Sequence, residues 1–180
     1  MLLSAARSIL LVVDVQERLL PAMADAAGVV ANTSTLLKAA QRLGVPVVVS
    51  EQYPRGLGHT MVPLRDLAGA GAVVEKTEFS CTVNPELRAR LAGSGRDQVV
   101  ICGIEAHVCV LQTALGLLPL DLVPVVVADA TSSRREASRE LALTRMGRAG
   151  VEVVTTEMVL FEWLERAATP EFKELSALIR

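Results

Sequence analysis

Ile9-Leu-Leu-Val-Val-Asp-Val15 and Gln98-Val-Val-Ile-Cys-Gly-Ile104 decide how this chain folds. Both are near-continuous aliphatic runs, without the polar residue at every second position that marks a strand with one wet face. A strand buried on both faces needs such a run, and parallel sheets covered by helices supply that environment. Shorter runs of the same kind recur at Pro46–Ser50, Ala72–Val74, Val123–Ala128 and Val151–Thr155. Helical signals lie between them. Leu36, Ala40 and Leu43 share a face before Gly44 and Pro46 end the helix. Asn84-Pro85 reads as an N-cap followed by proline in the first turn. Val108, Leu111, Leu115 and Leu118 form an apolar stripe. Ser133-Arg-Arg-Glu136 reads as a capping box opening a helix to about Gly150, and Thr169-Pro170 opens a last helix through Leu178. Strand and helix in alternation predict βαβ units with right-handed crossovers, and so a three-layer α/β/α Rossmann-like domain.

The bulk properties bound the answer. At 180 residues the chain is expected to form one domain, 1–180. Size scaling gives a folded surface of roughly 8,400 Å² against roughly 27,800 Å² unfolded, which leaves about 70% buried and allows a core without staples. A net charge of −2 offers no basic stripe for nucleic acid, and 3% aromatics supply no base-stacking platform. Cys81, Cys102 and Cys109 are odd in number and form no CxxC pair, which reads as reduced thiols in a cytoplasmic protein. The apolar stretch Ile9–Val13 ends on Asp14, short of the roughly 7–15 residues of a signal peptide. No apolar run reaches the roughly 18 residues that span a membrane. Mean hydropathy of +0.42 with so few aromatics points to aliphatic surface covered by another subunit, hence a homo-oligomer.

In such sheets ligands bind beyond the carboxyl ends of the strands, where strand order reverses. The polar residues closing the runs are therefore the candidates: Asp14, then Glu51 and Gln52, then Glu75, Lys76 and Glu78, then Asp129. The fourth run leads through Gly103-Ile-Glu-Ala-His-Val-Cys109 into a helix. Cys109 then sits near unpaired N–H groups and a positive dipole end, both of which favour thiolate. Each candidate has a plainer reading too. Asp14 also fits a carboxylate held by loop amides. Lys76, within Glu-Lys-Thr-Glu, taken alone reads as a solvated lysine among acids. Cys109 also fits a small buried hydrophobe. Cys102 reads as core packing, Cys81 as structural, and His59 as a solvated loop histidine within reach of the pocket. The irregular stretch Glu51–Leu64, with Pro54, Gly56, Gly58 and Pro63, is a candidate pocket wall.

Common motifs are missing: GxSxG, HExxH, a Walker A loop, and GxGxxG after the first strand. Asp14-Val-Gln-Glu-Arg18 has no glycine to admit a pyrophosphate, so a nucleotide-binding domain ranks last. His107 precedes Cys109 by a spacing that points the two apart on a helix, which weakens a Cys–His protease reading. No cluster of His, Cys and carboxylates has ligand spacing, so neither metal nor other cofactor is expected.

Val12-Val-Asp14-Val-Gln16, Lys76 followed by Phe79-Ser80, Gly103-Ile-Glu-Ala-His-Val-Cys109-Val110 and Val127-Ala-Asp129-Ala-Thr-Ser-Ser-Arg134 together resemble the isochorismatase-like cysteine hydrolases, from about Ser8 to the C-terminus. Glu51-Gln-Tyr-Pro-Arg-Gly-Leu-Gly58 and Pro170-Glu-Phe-Lys-Glu174 look most like the small members called isochorismatase-domain-containing proteins. The resemblance implies a six-stranded parallel sheet in the order 3-2-1-4-5-6, whose reversal brings Asp14 and Cys109 to one crevice. It implies a catalytic triad of Asp14, Lys76 and Cys109 and a cis peptide bond between Ile104 and Glu105. An oxyanion hole would form from the backbone N–H of Cys109 with that of Glu105 or Ala106.

The implied chemistry is hydrolysis of a small amide through a thioester. Lys76 and the helix end lower the thiol pKa, Asp14 takes the proton, and Cys109 attacks the carbonyl carbon. Leu19, Tyr53, Phe79 and Glu105 are candidate pocket walls. Metal-dependent nicotinamidases of this superfamily carry an Asp-x-His pattern where this chain reads Glu51-Gln52-Tyr53, so no metal is expected. Isochorismatases proper lack the cysteine, so Cys109 argues against isochorismate as substrate. Two rivals remain: a silent binding scaffold, and a thiol redox sensor with Cys81 as resolving partner.

Overall fold

In the computed structural model, which describes residues 1–69 and 71–179, the aliphatic runs lie side by side. They form β1 (Ser8–Val13), β2 (Val47–Gln52), β3 (Val73–Lys76), β4 (Gln98–Ile104), β5 (Val123–Ser132) and β6 (Glu152–Val154). All neighbours are parallel, in the order β3-β2-β1-β4-β5-β6. The order reverses between β1 and β4, as the resemblance implied. Accessible surface is 8360 Å², matching the size-scaling expectation.

The helices are α1 (Ala26–Leu43), α2 (Pro54–Leu57), α3 (Val62–Ala68), α4 (Pro85–Ala92), α5 (Leu111–Leu117), α6 (Glu136–Arg148), α7 (Thr156–Leu164) and α8 (Pro170–Leu175). Alternation along the strands divides the interior in two. Leu10, Val12, Val49, Val100 and Val127 face α1, α3, α7 and α8, which contribute Leu36, Leu64, Val159 and Leu175. Ile9, Leu11, Val48, Val99 and Ile101 face α4, α5 and α6, which contribute Leu87, Leu117 and Met146. β1, central in the sheet, is buried along its whole length. The continuous apolar run is thus explained by two covered faces.

Local signals behave as their chemistry requires. Asp25 caps α1 by accepting the Gly28 amide, and Gly44, at φ 68°, ends it. Asn84 accepts the amides of Glu86 and Leu87 at the start of α4. The capping box at Ser133 does not form. β5 continues to Ser132 because Thr131 and Ser132 pair with Gly103 and Ile104 beyond a register shift. Ser133 is therefore too early to cap α6, whose cap position is Arg135, and its hydroxyl meets His107 Nδ1 at 2.9 Å instead. The stripe Val108-Leu111-Leu115-Leu118 is also out of phase. A π-helical turn over Ala106–Val110 precedes α5, so Val110, Leu111, Ala114 and Leu117 are buried while Leu118 is exposed. The last helix ends at Leu175, with a 3₁₀ turn over Ser176–Ile179. Glu51–Leu64 contains the end of β2, α2 and the start of α3, so it is less irregular than its Pro and Gly content predicts. Among the described residues no helix is long and apolar enough to cross a membrane.

Candidate active site

Three strand ends and one turn build the site. Val13 lies beside Ser50 of β2 and beside Gly103 of β4, and Gln52 pairs with Lys76 of β3. Gly103 lets the backbones of β1 and β4 close up: its φ is +113°, and a Cβ there would overlap the Val13 carbonyl oxygen and stand 2.7 Å from the Val13 nitrogen. One residue further, Asp14 turns left-handed at φ 52°, a conformation aspartate tolerates better than most side chains.

The Asp14 carboxylate is fully buried and satisfied on both oxygens. Ser50 Oγ donates to Oδ1 at 2.6 Å, and Lys76 Nζ donates to Oδ2 at 2.8 Å. Neither charged side chain of this pair has any exposure. Lys76 Nζ also meets Gln52 Oε1 at 2.5 Å and the carbonyl oxygens of Glu78 and Phe79 at 3.2 and 3.3 Å. Cys109, 5% exposed, lies close enough to the same carboxylate for the Asp14 charge to act on its thiol. Across the turn before Cys109 the Ile104–Glu105 peptide is cis. The Glu105 carbonyl accepts the amides of Val108 and Val110, at 3.1 and 3.2 Å, which bracket Cys109.

The electrostatics differ from the sequence expectation in one respect. The Cys109 thiol is pushed well above its ordinary range, first by burial and then by the charge of Asp14, while Lys76 pulls it down without prevailing. Lys76 therefore does not yield a resting thiolate, because burial and the Asp14 charge together outweigh it. Burial likewise raises Asp14 against the opposing pull of Lys76, Ser50 and Cys109. Burial disfavours the Lys76 ammonium, but Asp14 and the thiols outweigh it and its pKa lies above the ordinary value. Two donors on the Asp14 oxygens and four oxygens around Lys76 Nζ suit a carboxylate facing an ammonium, beside a thiol that burial favours as neutral.

The surroundings sort the remaining candidates. Tyr53 and Phe79 are each 55% exposed. Tyr53 lines a cavity of about 340 Å³ with Arg55, Lys76, Glu78 and Asn84. Glu105 is buried, its Oε2 accepting Arg134 Nε at 3.0 Å and the Arg134 amide at 3.3 Å. Leu19 packs against the core on the α1 face. Cys81 is fully buried with its amide on Thr113 Oγ1 at 2.9 Å, and burial first, then Asp14, pushes its thiol up. Burial raises Cys102 to about 12. His59 Nδ1 lies 3.0 Å from Glu51 Oε2, and Glu51 Oε1 takes the Thr60 amide at 2.6 Å. Burial opposes the Glu51 charge, yet these partners hold its carboxyl below the usual range. Among the described residues no three His, Cys, Asp or Glu side chains converge as metal ligands do.

Sequence reasoning missed Ser50 and the amide contacts of Gln16 and Gln52. Gln16 Oε1 accepts the Gln52 amide at 2.7 Å, and its Nε2 donates to the carbonyls of Gln52 and Gly58 at 3.0 and 2.7 Å. A signal existed for Ser50, a polar residue closing an aliphatic run just as Asp14 does.

A family model for the isochorismatase domain matches residues 8–158. The chain belongs to the isochorismatase-domain family. Isochorismatase domain-containing protein 1 of Danio rerio is 44% identical over 179 residues, covering 99% of this chain and 62% of that protein. The chain thus spans about three fifths of that relative's length. Among solved isochorismatase-like structures, one described as the MAR1 ribonuclease of Caenorhabditis elegans superposes with a TM-score of 0.93 at 35% identity, covering 99% of this chain and 92% of that one. The YcaC gene product of Escherichia coli, described as an octameric hydrolase of unknown specificity, shares the fold at a TM-score of 0.92 and 23% identity, over 99% and 89% of the two chains. The fold is that of the family.

Proposed function

We propose that this protein hydrolyses a small-molecule amide through a thioester on Cys109, with Asp14 as proton carrier and Lys76 as the fixed positive charge. The observation that carries this reading is the wholly buried Asp14–Lys76 contact of 2.8 Å beside a nearly buried thiol. Burying two charges costs several kcal/mol per ion unless their surroundings are arranged for them, and a hydrophobic pair would pack there at lower cost. Perturbed carboxylate, ammonium and thiol groups meeting at a strand-order reversal are better explained by chemistry than by stability.

The steps follow from the resting charges. As Cys109 sulfur attacks the carbonyl carbon, its proton passes to Asp14, whose raised pKa makes it a stronger base than an ordinary carboxylate. The oxyanion takes the Cys109 amide, which the Glu105 carbonyl passes over in favour of Val108 and Val110, together with that of Glu105 or Ala106. Collapse breaks the C–N bond, and the leaving amine takes the proton from Asp14. Water then attacks the thioester, giving its proton to Asp14, which returns it to the departing sulfur. Lys76 stays charged throughout.

We read residues 1–180 as one catalytic domain, working in a reducing compartment that keeps Cys109 a thiol. Tyr53, Phe79, Glu105 and Leu19 are its pocket walls. Exposed Tyr53, Val62, Phe79 and Val83 supply apolar surface for a homo-oligomer, a form also in the description of the E. coli neighbour. A monomer mass by light scattering would sink that part. The main test is amine release from a panel of small amides, with intact-mass detection of an acyl adduct on Cys109. Loss of both in Cys109→Ala supports the reading; unchanged release in that variant overturns it. RNA belongs in the same assay because of the worm relative's name. A net charge of −2 is poorly suited to a polyphosphate, and RNA cleavage that requires Cys109 would displace the amide reading.

A further inference from the structure

Lys76 ends in three N–H donors and has no acceptor of its own. The four groups around it, Asp14 Oδ2, Gln52 Oε1 and the carbonyls of Glu78 and Phe79, are all oxygens. For Gln52 this arrangement is not automatic, since an amide turned over would present its NH₂ group. One contact prevents the turn and another fixes the main chain that carries it. Gln52 Nε2 donates to the Thr77 carbonyl at 2.7 Å, a contact only an N–H can make. Gln16, fully buried, grips the Gln52 main chain from both sides through its own amide.

We infer that Gln52 is a positioning residue: aimed by Thr77 and Gln16, its side-chain oxygen holds Lys76 as an ammonium beside Asp14 and Cys109, and so leaves proton transfer to Asp14. This rests on the Asp14–Lys76–Cys109 reading above. A neutral lysine amine in the same site would be a second base and would withdraw the positive charge that pulls the Cys109 thiol down. A carboxylate at position 52 would draw the ammonium away from Asp14; a neutral amide oxygen anchors it without competing for charge. The charged and titratable groups that bear on Lys76 are Asp14 from β1, Cys109 from the turn after β4, and Cys81 and Glu78 from the segment after β3. Burial opposes the ammonium, so each oxygen contact counts.

The chain has three lysines, and Lys38 and Lys173 are exposed. Nitrogen-15 lysine labelling therefore isolates Lys76 as the slowly exchanging ammonium signal. In the unaltered protein that signal is expected to persist above the free-lysine value of about 10.4; titration below that value overturns the inference by itself. In Gln52→Met the signal is expected to titrate lower. The iodoacetamide profile of Cys109 is expected to move up by about one pH unit, roughly tenfold slower at fixed pH. Lys76→Met is the control for the underlying reading. If it shifts the Cys109 profile and Gln52→Met shifts neither readout, the Gln52 inference alone falls. If neither variant shifts the profile, the triad reading falls with it. Should Gln52→Met not fold, Gln52→Glu decides: it keeps an oxygen on Lys76, so the ammonium signal survives while alkylation slows, and loss of the signal there overturns the inference.

Discussion

Replacing Asp14 by asparagine is expected to make Cys109 more reactive and to cut the proposed amide turnover. The thiol is held up by burial and by the Asp14 charge, against the pull of Lys76. Asparagine removes the charge and keeps the shape, leaving Lys76 unopposed. A unit charge about 4 Å away at an effective dielectric of about 20 is worth about 4 kcal/mol, or about three pH units. Lys76 loses its counter-ion in the variant, and its own charge weakens, so a fall of about one unit is the floor. That floor is a roughly tenfold gain in alkylation at neutral pH. Removing one partner of a buried pair costs about 3–5 kcal/mol, so folding is checked through the fluorescence of Trp163, the only tryptophan, which is buried. The assay is iodoacetamide labelling across pH with peptide mass mapping, using Cys102 as the unreactive internal standard. Amide turnover, having lost its base, falls by about 10²–10⁴. Asp14→Asn labelling no faster than the parent at neutral pH would refute the charge assignment on which the mechanism stands.

Three further outcomes follow from the same geometry. Ser50→Ala removes the 2.6 Å hydrogen bond that holds Asp14 down; at about 1.5–3 kcal/mol for a bond to a charged group, the acid limb of the pH–rate profile moves up by about one to two units. Glu51 has a lowered folded pKa, so its stabilising contacts to Thr60 and His59 are complete above the free value of about 4.3 and are lost as pH falls through the folded value. Hydrogen exchange over Tyr53–Met61, corrected for intrinsic rate, should rise in that window, and Glu51→Gln should flatten the dependence. Gly103→Ala puts a methyl group into the Val13 backbone at φ +113°; it should cost at least about 3 kcal/mol, about 6–12 °C in Tm for a chain this size. A loss below about 1 kcal/mol in denaturant titration would show that β1 and β4 separate easily.

Much of the fold was legible because a strand covered on two faces must be apolar throughout, and six such runs punctuate the chain. Asp14 and Lys76 were legible as polar residues ending such runs, and Cys109 by its position after the fourth. Strand order was not: periodicity cannot say which run neighbours which, and the family resemblance supplied it. The phase of α5 was hidden because nothing in Ala106-His-Val-Cys-Val110 announces a π turn. The Ser133 cap failed for a tertiary reason, since pairing with β4 draws β5 onward to Ser132. The thiol pKa also went the other way, because helix position and a nearby lysine are readable in sequence while full burial beside a carboxylate is not.

Gly103 has a practical meaning for anyone altering this protein. On the proposed mechanism, the spacing between Asp14 and Cys109 is set where two main chains touch without a side chain between them, and not by the rotamers that line the mouth. Tyr53 and Phe79 stand outside that contact and are half open to solvent. On that mechanism, substitutions at Tyr53 and Phe79 alter the rim and leave in place the backbone contact that aligns Asp14 with Cys109.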